Sequence, residues 1–276
     1  RGDHYVDLNA AMEDALDVGY RLFDLAELYG TEAQFGDLLR KPGSPERDTL
    51  YLVGKVWNTN HGFEQTIAAC EQSLRRLGVD AFDLYLIHWP QALRHTGPLG
   101  DLSLVSADEA GARAFPRNDH GDLDVVDISL TETWRALETL LARGRAKAIG
   151  VSNFGVDDLK TILDEGTTPP AVNQIEHHPY RQQRDLVDFC HENNIRVMAY
   201  SPLAAPGLLD DPIIVDIAEK HGCTPAQVVL AWNLAQGIVP IPSSTSRAHL
   251  SANLDVFGVE LDDDDRERMG GLEPQA

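Results

Sequence analysis

Short apolar runs alternate with amphipathic stretches from one end of the chain to the other. The runs at 21–26 (RLFDLA), 50–57 (LYLVGKVW), 83–89 (DLYLIHW), 146–152 (AKAIGVS), 171–176 (AVNQIE), 196–201 (RVMAYS) and 237–242 (GIVPIP) predict strands. Between them, apolar positions recur at helical spacing. This predicts helices over 7–18, 31–39, 62–77, 131–143, 155–164, 183–193, 212–220, 224–235 and 248–255. Strands that alternate with helices build a parallel sheet with right-handed crossovers. The spacing is regular and the composition never breaks, so the expectation is one domain over 1–276. Its fold class is α/β, a TIM-type (β/α)8 barrel.

A closed barrel of this type needs an eighth strand. The chain opens on a helix-like segment, VDLNAAMEDALDVG, with seven strand-like runs after it. The expectation is therefore that the first strand lies upstream of residue 1. An overlooked short strand and an open barrel are the alternatives. One connection departs from the rhythm: residues 90–130 run through Pro90, Gly97, Pro98 and Gly100 into an Asp-rich stretch. A loop of that length in a compact domain is usually a lid or binding loop. It follows a strand end, so it belongs at the face where such barrels keep their active sites.

Charge narrows the partners. With 44 acidic and 23 basic residues the formal charge is −21, which repels nucleic acid and anionic membranes. No run approaches the ~20 apolar residues that span a bilayer. Lysine is scarce, with only Lys41, Lys55, Lys147, Lys160 and Lys220. That bias fits either a GC-rich genome or a surface adapted to high salt, where screening relieves self-repulsion. The cysteines, Cys70, Cys190 and Cys223, are odd in number and far apart, so they imply neither a disulfide framework nor a zinc site. A reducing, cytoplasmic setting and a monomer are the expectations.

Four polar residues interrupt or follow the apolar runs where a polar side chain is costly unless paired. Asp24 sits in LFDLAELYG, with Tyr29 following; Lys55 lies in LVGKVW and His88 in YLIHWP. Singly, Asp24 could cap a helix, Tyr29 line a rim, Lys55 reach to water and His88 satisfy the core. Jointly they form a machine for reducing a carbonyl. A phenol keeps its proton at neutrality. A buried ammonium beside it stabilises the phenolate. A carboxylate keeps that ammonium charged, and an imidazole orients the carbonyl oxygen. Tyr29, Lys55, Asp24 and His88 fit those roles in that order.

These segments resemble those of the aldo-keto reductases. GYRLFDLAELYGTE is similar to the family's aspartate and tyrosine segment, LYLVGKVWNTNHG to its lysine segment and DLYLIHWP to its histidine segment. GRAKAIGVSNF, AVNQIEHHPY and AYSPL resemble its later cofactor segments, in order and from about Val6 to Leu261. The resemblance implies that Ser152, Asn153 and Gln174 hold the nicotinamide carboxamide and that Tyr200 stacks on the ring. It places Ser201 and Leu203 along the pyrophosphate. Ser152-Asn153 could instead cap the following helix, and Tyr200 could be core. Trp57 and Trp89 are expected to wall the substrate pocket.

At the adenosine end the sequence departs from the family. In IPSSTSRAHLSANL, Ser243 stands where a lysine is expected, His249 where an arginine is expected, and Ala252 where a glutamate is usual; Asn253 matches. Ser244 and Ser246 remain as neutral donors, and Arg247 could reach a 2′-phosphate from another position. The expected cofactor is NADP(H), with NAD(H) admitted as well, and no metal. Neither GxGxxG, GxSxG nor a P-loop is present, and His177-His178 reads as structural. The expected substrate is a small aldehyde, ketone or alcohol. The alternative is a non-catalytic nicotinamide-binding barrel acting as a sensor or partner subunit.

Overall fold

The computed structural model describes residues 8–100, 102 and 105–273. Residues 1–6, which bear on the expected additional strand, lie outside the described residues. The chain packs as two compact units, one of residues 21–173 and the other of 1–20 with 174–276.

The first unit is built on β1 (Leu22–Asp24), β2 (Tyr51–Val56), β3 (Leu84–Ile87) and β4 (Ile149–Ser152), parallel neighbours in sequence order. Leu22 lies beside Tyr51, Val53 beside Leu84, and Tyr85 beside Ile149. Parallel pairing puts the C-terminal ends of these strands, and hence Asp24, Lys55, His88 and Ser152, at one end of the sheet. Strands β2, β3 and β4 are buried on both faces, as near-continuous apolar runs require, whereas β1 is half-buried. The opposite end is locked by Asp83. Its carboxylate accepts from the Leu52 amide at 2.9 Å and pairs with Lys147 at 2.7 Å and Arg47 at 2.8 Å.

The crossovers are α2 (Glu32–Leu39), α3 (Phe63–Leu77), α5 (Leu130–Ala142) and α6 (Val156–Glu165), close to the predicted spans. Their buried faces carry Phe35, Leu74, Leu77, Trp134, Leu137 and Leu159, each adding about 1.5–3 kcal/mol. Helix α2 meets α3 backbone to backbone at Gly36: a Cβ there would lie 2.6 Å from the carbonyls of Arg76 and Leu77.

The loop at 90–130 is not wholly irregular. It contains α4 (Ala107–Ala114), capped by the Ser106 hydroxyl, which accepts from the Glu109 amide at 3.2 Å. The Ser-x-x-Glu signature was present in the sequence, inside a stretch too polar to suggest a helix.

Strand β5 (Val172–Glu176) begins in the first unit and ends in the second. The second unit also holds β6 (Arg196–Tyr200) and β7 (Val239–Ile241), parallel with Tyr200 beside Ile241. Its helices are α1 (Leu8–Val18), α7 (Arg184–Glu192), α8 (Pro212–His221), α9 (Pro225–Ala235), α10 (Arg247–Leu254) and α11 (Asp263–Gly270). Ile214, Ile217, Val228, Val229, Trp232 and Met269 form its core. His177 belongs to that packing, stacked on Trp232 with centroids 5.0 Å apart and hydrogen-bonded to Asn233 at 2.8 Å. Helix α11 was not expected, because four successive aspartates look like a solvated tail. Asp262 and Asp265 form its capping box, and Asp265 is fully buried against Lys220 and His221. Among the described residues no helix is long and apolar enough to cross a membrane, and the three cysteines are free.

Candidate active site

Asp24 ends β1, and the chain then turns into a single 3₁₀ turn, Glu27–Tyr29. Gly30 closes that turn at φ 66°, a left-handed conformation that glycine adopts without a Cβ clash. Lys55 is the penultimate residue of β2, and His88 directly follows β3, its amide bonded to the Val56 carbonyl at 3.1 Å.

The four side chains converge. The Lys55 ammonium donates to Asp24 Oδ2 at 2.6 Å and to the Tyr29 hydroxyl at 2.9 Å. Its side chain is fully buried, while that of Asp24 is partly exposed. A buried ammonium is tolerable only with a partner of this kind, and removing such a partner typically costs about 3–5 kcal/mol. The Tyr29 oxygen accepts from Lys55, which leaves the phenol proton for another acceptor. The Tyr29 ring is partly open to solvent, yet its pKa is raised. Burial outweighs the opposing effect of Lys55, and Asp24 adds to the rise. The acid is thus fully protonated at neutral pH.

His88 stands edge-on to Tyr29, with ring centroids 5.7 Å apart. Burial, and then the charge of Lys55, lowers its pKa to about 3. The ring is therefore neutral and can donate one N–H without bringing a second positive charge.

Trp57 forms a wall beside His88, edge-on at 5.0 Å, and its indole N–H bonds the Ala114 carbonyl at 2.7 Å. That bond fastens α4 over the site. Phe115, just past α4, packs edge-on to Trp57 at 5.3 Å and is 42% exposed. Trp89 is also exposed, at 41%. Sequence reasoning missed Phe115. The available signal was a lone aromatic in a polar loop, AFPRN.

Ser152 is buried at the end of β4, and Asn153 follows with φ 62°. The Asn153 amide donates to the His88 carbonyl at 2.9 Å and to Ser152 Oγ at 3.1 Å, joining this turn to the His88 backbone. These residues do not cap α6; Gly155 does, with Asp158 bonding back to its amide at 3.1 Å.

The remaining candidates belong to the second unit. Gln174 is buried in β5, Tyr200 ends β6, Ser201 has φ 50° and Leu203 packs on the apolar core. Ser243 and His249 are exposed, and Asn253 is buried in α10. Ser244 Oγ accepts from the Ser246 amide at 3.1 Å, and Ser246 caps α10. Arg247, the first residue of α10, is held by Asp14 at 2.6 Å and Asp17 at 3.4 Å on α1.

Residues 4–273 match the sequence model of the Aldo/keto reductase family. The chain belongs to that family. Aldo-keto reductase family 1 member A1 of Cricetulus griseus is 36% identical over 279 residues, spanning 96% of this chain and 82% of the relative. The oxidoreductase YtbE of Bacillus subtilis is 37% identical over 265 residues, covering 95% and 82%. Among solved structures, the aldose reductase from Schistosoma japonicum matches with a TM-score of 0.88 and 31% identity, covering 99% of this chain and 87% of that one. This aldo-keto reductase therefore has the (β/α)8 fold class expected from its sequence, and it is an NAD(P)-dependent oxidoreductase.

A further residue went unnoticed in the sequence. Glu27 is 2% exposed, and its carboxylate accepts from the Trp57 amide and, at 3.0 Å, from the Asn60 side chain. Its only sequence signal was an acid inside an otherwise apolar turn, AELYG.

Proposed function

We propose that the enzyme reduces small aldehydes or ketones to alcohols, reversibly, with Tyr29 as proton donor. The observation that carries this reading is the buried Lys55 ammonium bonded to both Asp24 and the Tyr29 oxygen. The nicotinamide, when bound, supplies the hydride that the carbonyl carbon accepts. The carbonyl oxygen takes the Tyr29 proton, and Lys55 stabilises the phenolate that remains until solvent reprotonates it. Neutral His88 directs an N–H at the same oxygen and fixes which face of the carbonyl is presented. Trp57, Trp89 and Phe115 exclude water and contact the rest of the substrate.

The donor set fits a nicotinamide cofactor. In the first unit, Ser152 and Asn153 offer a hydroxyl and an amide at the end of β4, suited to a carboxamide; in the second, Gln174 offers an amide within β5 and Tyr200 a ring for stacking. Ser201 and Leu203 would flank the pyrophosphate. At the adenosine end, Ser243, Ser244 and Asn253 supply hydroxyl and amide groups, His249 stands in place of the expected arginine, and Arg247 is already engaged by two aspartates. Selection for the 2′-phosphate is accordingly relaxed, and both NADPH and NADH serve. Initial rates of NADPH and NADH oxidation with a panel of small aldehydes, sugars and ketones test this. Turnover with either nucleotide is expected; no oxidation with any carbonyl would defeat the reading.

A further inference from the structure

We infer that Glu27 is a positioning residue for the reaction, its carboxylate tying the turn that carries Tyr29 to the Trp57–Asn60 turn that follows the Lys55 strand. It presupposes Tyr29 as the proton donor. The geometry is specific. Glu27 begins the 3₁₀ turn that Tyr29 ends, so the carboxylate and the phenol are parts of one rigid element. Oε1 takes the Trp57 amide, and both oxygens lie within reach of the Asn60 side-chain nitrogen, at 3.2 and 3.0 Å.

The turn it grips is a junction. The Asn60 amide returns to the Trp57 carbonyl at 2.9 Å, and the Asn60 carbonyl accepts from Thr66 on α3 at 2.8 Å. His95 bonds the Thr59 carbonyl at 2.8 Å, and the Leu93 amide bonds the Asn58 carbonyl at 2.9 Å, which anchors the long loop. Trp57 itself carries α4 through its indole and stands against His88. One buried carboxylate thus sets the proton donor and the substrate wall relative to each other.

Both groups that bond Glu27, the Trp57 amide and the Asn60 side-chain nitrogen, are donors, so the ionised form is the one that fits the clamp; a protonated carboxyl would set an O–H among N–H groups. The charged and titratable groups around it are Glu32 on α2, Arg76 and Cys70 on α3, and Tyr85 on β3. Arg76 is held by Glu32 at 2.5 Å, so it offers Glu27 little net positive charge. Burial is the largest effect and, against the two hydrogen bonds, brings the Glu27 pKa up to about 7. The clamp therefore loosens as pH falls through neutrality.

The test uses the intact enzyme labelled with ¹⁵N-tryptophan. The chain has four tryptophans, and the Trp57 amide signal is assigned by its loss in Trp57→Phe. That signal should titrate with a midpoint near 7 in the wild type and stay flat in Glu27→Gln. In kinetics, Glu27→Gln should remove an inflection in kcat/KM near that pH. Glu27→Ala should lower kcat by about tenfold or more with nucleotide Kd unchanged, and Glu27→Gln should restore much of it. A Trp57 amide that does not titrate, or that titrates equally in Glu27→Gln, overturns the assignment; so does wild-type kcat in both variants. Tyr29→Phe separates the two claims. If that variant keeps its turnover, Tyr29 is not the donor, whatever the Trp57 signal does.

Discussion

Replacing Asp24 with asparagine removes one unit of charge from the most buried ion pair in the site and changes almost nothing in shape. The Lys55 side chain is fully buried and its nitrogen lies 2.6 Å from Asp24 Oδ2. At an effective dielectric of about 20, two unit charges at that distance attract by ~6 kcal/mol. The amide oxygen recovers part of this as a hydrogen bond. Losing one member of a buried pair generally costs about 3–5 kcal/mol. Asp24 keeps 16% of its side chain exposed, so water relieves part of the penalty and the lower figure applies, about 3 kcal/mol. With a urea m-value of about 3 kcal/mol/M, that is a fall of about 1 M in the unfolding midpoint. Far-UV circular dichroism in urea at neutral pH measures it. The double variant Asp24→Asn/Lys55→Met, which removes the stranded cation, should regain at least about half the loss, because the penalty lies in the unpaired charge. A midpoint for Asp24→Asn within about 0.2 M of wild type, or a double variant no more stable than the single, would refute the reasoning.

Three other outcomes follow from the same structure. The Asp83 pKa is lowered: burial pushes it up, but the Leu52 amide, Lys147 and Arg47 together outweigh that. Its contribution is present above the ordinary carboxylate pKa and is lost as pH falls through the lowered folded value. The urea midpoint of Asp83→Asn should therefore lie below wild type at pH 6 and converge on it in acid. The melting temperature should rise from low to molar KCl, because screening relieves the repulsion of a −21 chain; a flat or falling curve would count against this. Ser243→Lys should shift the NADPH:NADH preference about tenfold toward NADPH, ~1.4 kcal/mol. A wild type that already prefers NADPH a thousandfold would show that other residues grip the phosphate.

Lys55 and His88 were legible in the sequence because each places a polar group at the end of an apolar strand, where only a paired group survives. Asp24 and Tyr29 were legible through their spacing from that pattern and through the family resemblance. The strands were found where predicted, though shorter, since parallel pairing ends before the apolar run does. What escaped depended on contacts distant along the chain. Glu27 is a clamp only because Trp57 and Asn60 meet it, and no local pattern separates a buried carboxylate from a solvated one. Arg247 looked available for a phosphate, but Asp14 and Asp17, far upstream, already engage it. Helices α4 and α11 were hidden by acidic composition, although both carry capping signatures that could have marked their starts.

The central claim is that Tyr29 gives its proton to the carbonyl oxygen, and the rate of carbonyl reduction by Tyr29→Phe tests it most directly. Only the hydroxyl is lost in that variant, so nucleotide affinity, measured alongside by fluorescence, should stay within about twofold. Turnover should fall by about a hundredfold or more. Reduction at close to the wild-type rate would contradict the mechanism.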